Sequence, residues 1–533
     1  MLYEAFDPFN PVKPARTVRP QPRPKSRKDT FPAAGWTLLA GAVIMGAAFA
    51  VYANTFQVPF VFDDLASIPG NPTIRSLGQA WWPPTGEGTG GLTVAGRPSL
   101  NFTLGINYAI SGLNVGSYHA LNLAIHILAG LTLFGVVRRT LARPVLAARF
   151  GERAAPLALV IAVLWTLHPL QTEAVTYVVQ RAESLMGLFL LAALYGFVRS
   201  VDSPNPGRWR AFSVVACLLG VGSKEVAIMT PVMVFLYDRT FVSGSFLEAW
   251  RRHRLTHLLL VATWVPLFCF VASTGGNRAG IFHLNDAAMW MGHGMTQFEA
   301  VTRYLGLAFW PHPLAIDYGE IPPPSLGAAL PWALPVVGIA AATLVALWRR
   351  PVIGFLGAWF FGILAPTCLL PATLQIIVEH RMYLPLAAII ALVVTGSYLL
   401  AGRRIIPVFL VLAVGTGWVT FRRNDTYRNE LSLWGDTVLK RPENDHARVN
   451  YGLALAKAGR PAEAAAQFAE AVRLQPNSLQ GRNNLGNALA EAGRFDEAIV
   501  QYEWVLRERP NEQGVLQNLE HARALQQYYQ QHP

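Results

Sequence analysis

A succession of apolar runs, each near the length of a membrane-crossing helix, restricts this chain to one broad architecture. After Gly35 to Val51 come runs at roughly 117–137, 155–168, 184–198, 210–222, 225–238, 256–273, 331–348, 352–370, 384–400 and 405–420. That makes about eleven passes, since some 20 apolar residues span a bilayer. Several runs are shorter, so their ends are expected inside protein or against a water-filled cavity. With 52% of its 533 residues hydrophobic and 14% charged, the chain is too apolar for a soluble fold of this length. The expected fold is all-α, a polytopic membrane protein of about eleven transmembrane helices followed by a helical-repeat solenoid.

The formal charge of +12 would suit nucleic acid, but Lys and Arg cluster between the apolar runs, where membrane orientation accounts for them; no nucleic-acid partner is expected. Cys217, Cys269 and Cys368 each lie within an apolar run, so neither a disulfide framework nor a cysteine metal site is indicated. The first run follows a Pro- and Arg-rich leader and lacks a small-residue cleavage site. It reads as a retained transmembrane helix.

Residues 1–33 contain Lys13, Arg16, Arg19, Arg23, Lys25, Arg27 and Lys28 among many prolines, the composition of a disordered cytoplasmic tail. Counting alternately, the basic loops Arg138–Arg153, Arg199–Arg210, Arg239–Arg254, Arg349-Arg350 and Arg403-Arg404 fall on the same side. The membrane domain is assigned to 34–420, with extracytoplasmic loops at 54–116 and 274–330. The stretch 297–311, carrying Glu299 and Arg303, reads as an amphipathic helix at the outer interface.

An odd number of passes leaves 421–533 outside. Pro442, Pro476 and Pro510 are spaced by 34, as are Gly452 and Gly486, Gly459 and Gly493, and Ala464 and Ala498. This is the period of tetratricopeptide repeats, pairs of antiparallel helices. One repeat is expected at about 443–476 and a second at about 477–510, with a polar capping helix.

Phe60-Val61-Phe62-Asp63-Asp64 sets two adjacent carboxylates just beyond the first apolar run, on the outer side with the repeats. In poorly solvated surroundings like charges raise one pKa, which suits a general base. A turn or helix N-cap would use the same residues for local hydrogen bonds. The outer helix ends also collect Arg97, His168, Glu173, Arg181, Glu183, Lys224, Glu225, Glu379, His380 and Arg381. Singly, each has an ordinary explanation: His168-Pro169 can end a helix, and Lys224-Glu225 can form a structural pair. Insertion of one charge costs about 2.5–3.5 kcal/mol, so their common side argues for a polar chamber. Such a chamber suits group transfer from a phosphorylated lipid, cations holding phosphate and a carboxylate taking the proton of an incoming hydroxyl.

At these residues the chain resembles the transmembrane and tetratricopeptide-repeat-containing O-mannosyltransferases and their bacterial relatives, within the GT-C glycosyltransferases. The matching segments are Phe60 to Asp64, Gly96-Arg97-Pro98-Ser99-Leu100 with Asn107-Tyr108, Gly112-Leu113-Asn114 with Tyr118-His119, and His168-Pro169 with Thr172-Glu173-Ala174-Val175. Arg181-Ala182-Glu183, Ser223-Lys224-Glu225 and Glu379-His380-Arg381-Met382-Tyr383-Leu384-Pro385 complete the set. The resemblance implies a GT-C fold and transfer of mannose or another hexose from a polyprenyl-phosphate-linked sugar to Ser or Thr hydroxyls of extracytoplasmic proteins. By position it implies Asp63 as base with Asp64 beside it, and Arg381, Lys224, Arg97 and His380 at the donor phosphate. His168, Glu173, Arg181, Glu183, Glu225, Glu379 and Tyr383 are then expected to line the substrate pocket. No resident cofactor or metal is indicated, and a divalent cation assisting the donor stays open. The expected partners are membrane lipids, the lipid-linked donor and an acceptor protein held by the repeats. The expected setting is the bacterial inner membrane, with a cytoplasmic amino terminus and periplasmic repeats. A lipid or glycan acceptor, and a non-catalytic membrane-anchored assembly factor, are the alternatives.

Overall fold

A computed structural model describes residues 33–84, 91–274, 287–319, 325–369 and 377–532; the basic leader and parts of both assigned outer loops lie outside the described residues. Eight described helices are long and apolar enough to cross a membrane: Gly35–Thr55, Val115–Leu141, Val178–Asp202, Glu225–Ser243, Phe246–Ser273, Leu326–Arg349, Pro351–Leu369 and Pro385–Tyr427. A ninth arises if Pro144–Thr166 and Pro169–Thr176, bent by 57°, form one broken span.

The expected count of eleven is not reproduced, for three physical reasons. Pro206–Val221 is a helix of only 16 residues, short of a bilayer crossing. The run at 155–168 belongs to the bent pair, where Pro169 denies the helix its next backbone donor. The runs at 384–400 and 405–420 fall in one 43-residue stretch when helices are taken by length and composition, although the stretch turns back at Gly402–Ile405 and brings Arg423 near its end within electrostatic reach of Glu379 before its start.

The membrane core is built where small and large side chains interlock. Leu133 and Phe134, Ile161 and Trp165, Leu190 and Leu191, and Leu386 and Val394 are all buried in one cluster. Around it Leu38, Leu334, Trp348, Val411 and Val414 point outward, fully apolar and exposed, as side chains facing lipid should be. The stretch read as an amphipathic interfacial helix is the end of a longer helix, Ala287–Phe309. Glu299 and Arg303 pair along it, Arg303 Nη2 to Glu299 Oε1 at 2.6 Å, which removes much of the cost of their charges.

A second apolar cluster fixes the placement of the site. Val58, Val61 and Ile68 of the first loop pack with Tyr177 and Val179, with Ile316, and with Tyr427, Leu433, Trp434 and Ala447. The Asp63–Asp64 loop and the beginning of the tail therefore share one face of the membrane domain.

Beyond Glu430–Lys440 the tail forms four helices, Asp445–Lys457, Pro461–Leu474, Leu479–Glu491 and Phe495–Glu508, and the closing helix Gln513–Gln531. The 34-residue period has a steric cause: a Cβ on Gly452 would come within 2.7 Å of the Phe468 ring, and one on Gly486 within 2.5 Å of the Tyr502 ring. Hydrogen bonds repeat too, Arg448 Nη1 donating to Gln467 Oε1 at 3.0 Å and Arg482 Nη1 to Gln501 Oε1 at 3.1 Å.

Candidate active site

Asp63 and Asp64 open a five-residue helix, Asp63–Ser67, and their environments differ. Asp64 is fully buried. Its Oδ1 accepts the Val179 N–H at 2.7 Å and its Oδ2 the Val61 N–H at 3.2 Å, so it ties the loop to the segment before Arg181. Burial pushes its carboxyl up to about 8, against the pull of those two N–H bonds. Asp63 is only half-buried, and its own N–H donates to the Tyr177 hydroxyl at 2.9 Å. Burial raises its pKa; Tyr177 and His446 lower it, and Glu173 raises it further. Of the two carboxylates, Asp63 is the less buried. Phe62, just before it, has φ 48, the lone positive φ of a non-glycine among the described residues. Such a conformation costs of order 1–3 kcal/mol and is held by its surroundings.

The cations sit in pairs. Arg97, at the start of helix Pro98–Ser111, binds both carboxylate oxygens of Glu225 through Nη2 at 3.1 Å and donates from Nη1 to the Thr93 carbonyl at 2.6 Å. Ser99 N–H donates to the Gly222 carbonyl at 2.9 Å, an approach open only because Gly222 has no side chain: a Cβ there would run into Ser99. That approach brings Arg97 to the Lys224-Glu225 turn. Lys224 forms a buried ion pair with Glu183.

His380 is buried, its N–H donating to Glu173 Oε2 at 3.0 Å and its Nδ1 lying 2.7 Å from Glu173 Oε1. Burial, then the charges of Lys224, Arg381 and Arg97, hold its pKa well below the ordinary histidine value, with Glu183 opposing. Lys224, Arg381 and Arg97 thus all lie within electrostatic reach of His380. A neutral His380 with Nδ1 on Glu173 offers Nε2 as an acceptor, so positive charge in this corner comes from Arg97, Lys224 and Arg381. Glu379 faces the other way, its Oε1 accepting the Ala315 N–H at 2.6 Å and the Tyr318 hydroxyl at 2.8 Å. Burial pushes Glu379 up to about 7, with Arg423 opposing.

Three expected pocket residues lie in packed surroundings. Arg181 is fully buried, its Nε donating to Asn122 Oδ1 at 2.5 Å and its Nη2 to the Tyr118 carbonyl at 3.0 Å; it braces helices. His168 accepts the Leu170 N–H on Nδ1 at 3.2 Å, capping the turn after Pro169, and its Nε2 lies 3.2 Å from the Ala308 carbonyl. Tyr383 is buried with its hydroxyl 2.9 Å from His126 Nδ1. Each of the three makes hydrogen bonds within the protein, as the ordinary reading of His168-Pro169 allowed.

The tail supplies residues that sequence reasoning missed. His446, on the first repeat helix, lies 2.6 Å from Asp317 Oδ2 through Nδ1, and that bond raises its pKa. Arg423 is buried; its Nη1 donates to Asp436 Oδ2 at 2.8 Å, while Nε and Nη2 have no hydrogen-bond partner among the described residues. Two orphaned N–H donors on a buried cation suit an oxygen-rich ligand. One sequence signal existed for His446: the second repeat carries Gln480 at the equivalent position, 34 residues on.

The fold defines a polytopic helical membrane protein whose first loop, with Asp63 and Asp64, packs on the same face as the start of a tetratricopeptide solenoid. The tetratricopeptide repeat family model matches residues 431–479 and 450–513. The chain is similar to the human protein O-mannosyl-transferase TMTC3, 30% identical over 213 residues, which cover 38% of this chain and 22% of that protein. Human protein O-mannosyl-transferase TMTC1 is 31% identical over 172 residues, covering 31% and 18%. A longer match joins it to protein O-mannosyl-transferase F38B6.6 of Caenorhabditis elegans, 24% identical over 481 residues, covering 79% of this chain and 61% of that protein. The resemblance read from the motifs is borne out by these homologues, although the matches to the two human relatives span no more than 22% of their length. No solved structure matches the chain.

Proposed function

We propose that this chain is an integral-membrane glycosyltransferase of the GT-C type, moving mannose or another hexose from a polyprenyl-phosphate donor to Ser or Thr hydroxyls of extracytoplasmic proteins. The observation that carries the reading is Asp63: a partly buried carboxyl on a loop pinned by Asp64, with Glu173 near it and the Arg97, Lys224 and Arg381 charges around His380 beyond. The names of the homologues support the same chemistry.

In this reading the acceptor hydroxyl attacks the anomeric carbon as the carbon–oxygen bond to phosphate breaks. Asp63 takes the hydroxyl proton, and the polyprenyl phosphate leaves with both bonding electrons. Inversion at the anomeric carbon follows from single displacement. The departing phosphate gains charge, which Arg97, Lys224 and Arg381 stabilise. Because Arg97 and Lys224 are already paired with Glu225 and Glu183, their number exceeds their net charge. That tempers donor binding and leaves product free to depart. His380 accepts a donor or sugar hydroxyl on Nε2 while Glu173 fixes its ring. The setting is a bacterial inner membrane, with the chamber and repeats on the periplasmic side.

The test is reconstitution: purified full-length protein, polyprenyl-phosphate mannose and a Ser/Thr-containing peptide, with products read by mass spectrometry. Hexose on the peptide, absent for Asp63→Asn, is the expected result. Transfer to lipid alone, or no transfer with a series of sugar donors, would reject the protein-acceptor reading.

A further inference from the structure

Asp238 lies at the end of the helix that begins at Glu225, 13 residues on, or about 20 Å at 1.5 Å per residue. It starts a π-helical turn, Asp238–Ser243, closed by Gly244 at φ 81; such turns recur at functional sites. The following helix, Phe246–Ala262, carries His253 and His257 one turn apart on one face. It leaves helical geometry at His253, with φ −124 and ψ 20.

These two distortions turn three side chains onto one point. His253 Nδ1 lies 2.8 Å, and His257 Nε2 2.9 Å, from the same oxygen, Asp238 Oδ2. Ser243 Oγ donates to the other oxygen at 2.7 Å. Asp238 and His257 are buried, while the His253 side chain keeps 22% of its surface. The remaining nitrogen of His257, Nδ1, is buried with no hydrogen-bond partner among the described residues, so the tautomer of the ring is set from Nε2 alone, where the Asp238 carboxylate accepts its proton in the absence of an ion.

We infer that Asp238, His253 and His257 form a binding site for a divalent metal of the zinc class, clipping together the helices Glu225–Ser243 and Phe246–Ser273. One donor atom from each residue lies within 4.8 Å of the others. Two imidazoles and one carboxylate are borderline ligands that favour zinc over magnesium or calcium. Tetrahedral zinc, with bonds of about 2.0–2.1 Å, spaces its ligands by about 3.3 Å. Each ring therefore withdraws about half an ångström from its hydrogen-bonding distance as the ion enters, a shift the irregular backbone at His253 can absorb. Ligation needs the proton of His257 on Nδ1, the nitrogen that carries no other bond. The adjacent Arg239 guanidinium lies over the Phe246 ring, 5.1 Å from its centre. Three protein ligands leave a fourth position for water, on the side of the partly exposed His253.

The test uses full-length protein in detergent, purified on a tag without histidine, stripped by chelator and dialysed against zinc. One zinc per chain by elemental analysis is expected, lost in His257→Gln and in His253→Gln, with a zinc-dependent rise in Tm for the wild type alone. Cobalt should give visible ligand-field bands in the unsubstituted protein, a readout that survives any variant that fails to fold. A wild type that retains no zinc and shows no cobalt bands overturns the site. So do variants that still hold one equivalent.

Discussion

The Phe62 ring meets the Trp434 indole edge-on, their centres 5.2 Å apart. The residue before Asp63 thus rests on the soluble tail, and its strained φ of 48 is sustained by that contact and by His446, 5.9 Å away ring to ring.

Asp63→Asn keeps shape and removes the basic oxygen. A positioned base contributes about a hundredfold to ten-thousandfold, and turnover should fall by that factor in a protein with unchanged Tm. Asp64→Asn should act differently, because both Asp64 oxygens accept backbone N–H groups and an amide nitrogen cannot. Leaving one buried N–H unpaired costs about 1–3 kcal/mol, so lower Tm is the expected signature. Equal Tm for both variants would overturn this division of roles.

His446 gives the reaction a pH signature. Asp317 raises its pKa, and its charge lowers that of Asp63. His446→Gln removes that charge, so the acid limb of kcat/KM should move to higher pH. Stability follows the usual sign for a raised histidine: the contribution of the His446–Asp317 pair is complete below about 6.5 and disappears as pH rises through the higher folded value. The Tm gap between wild type and His446→Gln should therefore close in alkaline buffer. A gap independent of pH would reject the charge argument.

Truncation separates the two halves of the tail. Removing 443–533 takes away Asn444, His446 and Ala447, which bond to Asp317 or pack with the Phe62 loop. Turnover of even a short peptide should then fall. Removing only 477–533 leaves those contacts and should spare the short peptide while impairing a natural protein acceptor. Full activity of the longer truncation would sink this view.

Arg381→Ala should weaken donor binding roughly tenfold to a hundredfold, the effect of about 1.5–3 kcal/mol for a hydrogen bond to a charged group. Titration calorimetry with a soluble short-chain polyprenyl phosphate reads this directly. An unchanged Kd would remove Arg381 from the phosphate site.

Orientation can be read with a fusion. Alkaline phosphatase placed after Gln531 should be active if the repeats face the periplasm. An inactive fusion, with green fluorescent protein at the same point glowing, would put the chamber on the cytoplasmic side.

Much of this was legible in the sequence because hydrophobic length and a 34-residue period are local signals. The apolar runs and the Gly452/Gly486 spacing needed no knowledge of tertiary contacts. The number of crossings was not legible in the same way: the 16 residues of Pro206–Val221 and the bend at Pro169 look like full passes to a window that sees only composition. Among charged residues, position in the chain does not tell which way a side chain points. In a linear reading Arg181 stands as a pocket residue and Lys224 as a phosphate ligand with equal ease. One proves to be locked onto Asn122 and Tyr118 and the other onto Glu183. His446 escaped notice because a repeat invites the assumption that its residues serve the repeat.

The chain closes its site across nearly its whole length. Asn54 donates to the Phe421 carbonyl at 2.9 Å and to Asp425 Oδ1 at 3.1 Å, and Asn424 donates to Asn54 Oδ1 at 3.0 Å. During synthesis the Asp63 loop therefore leaves the ribosome long before the residues that will hold it, and waits through the making of every later membrane helix. Contacts this distant slow folding, so a chain ended before Trp434 is expected to insert its membrane helices yet leave the Asp63 loop without the tail residues it packs against.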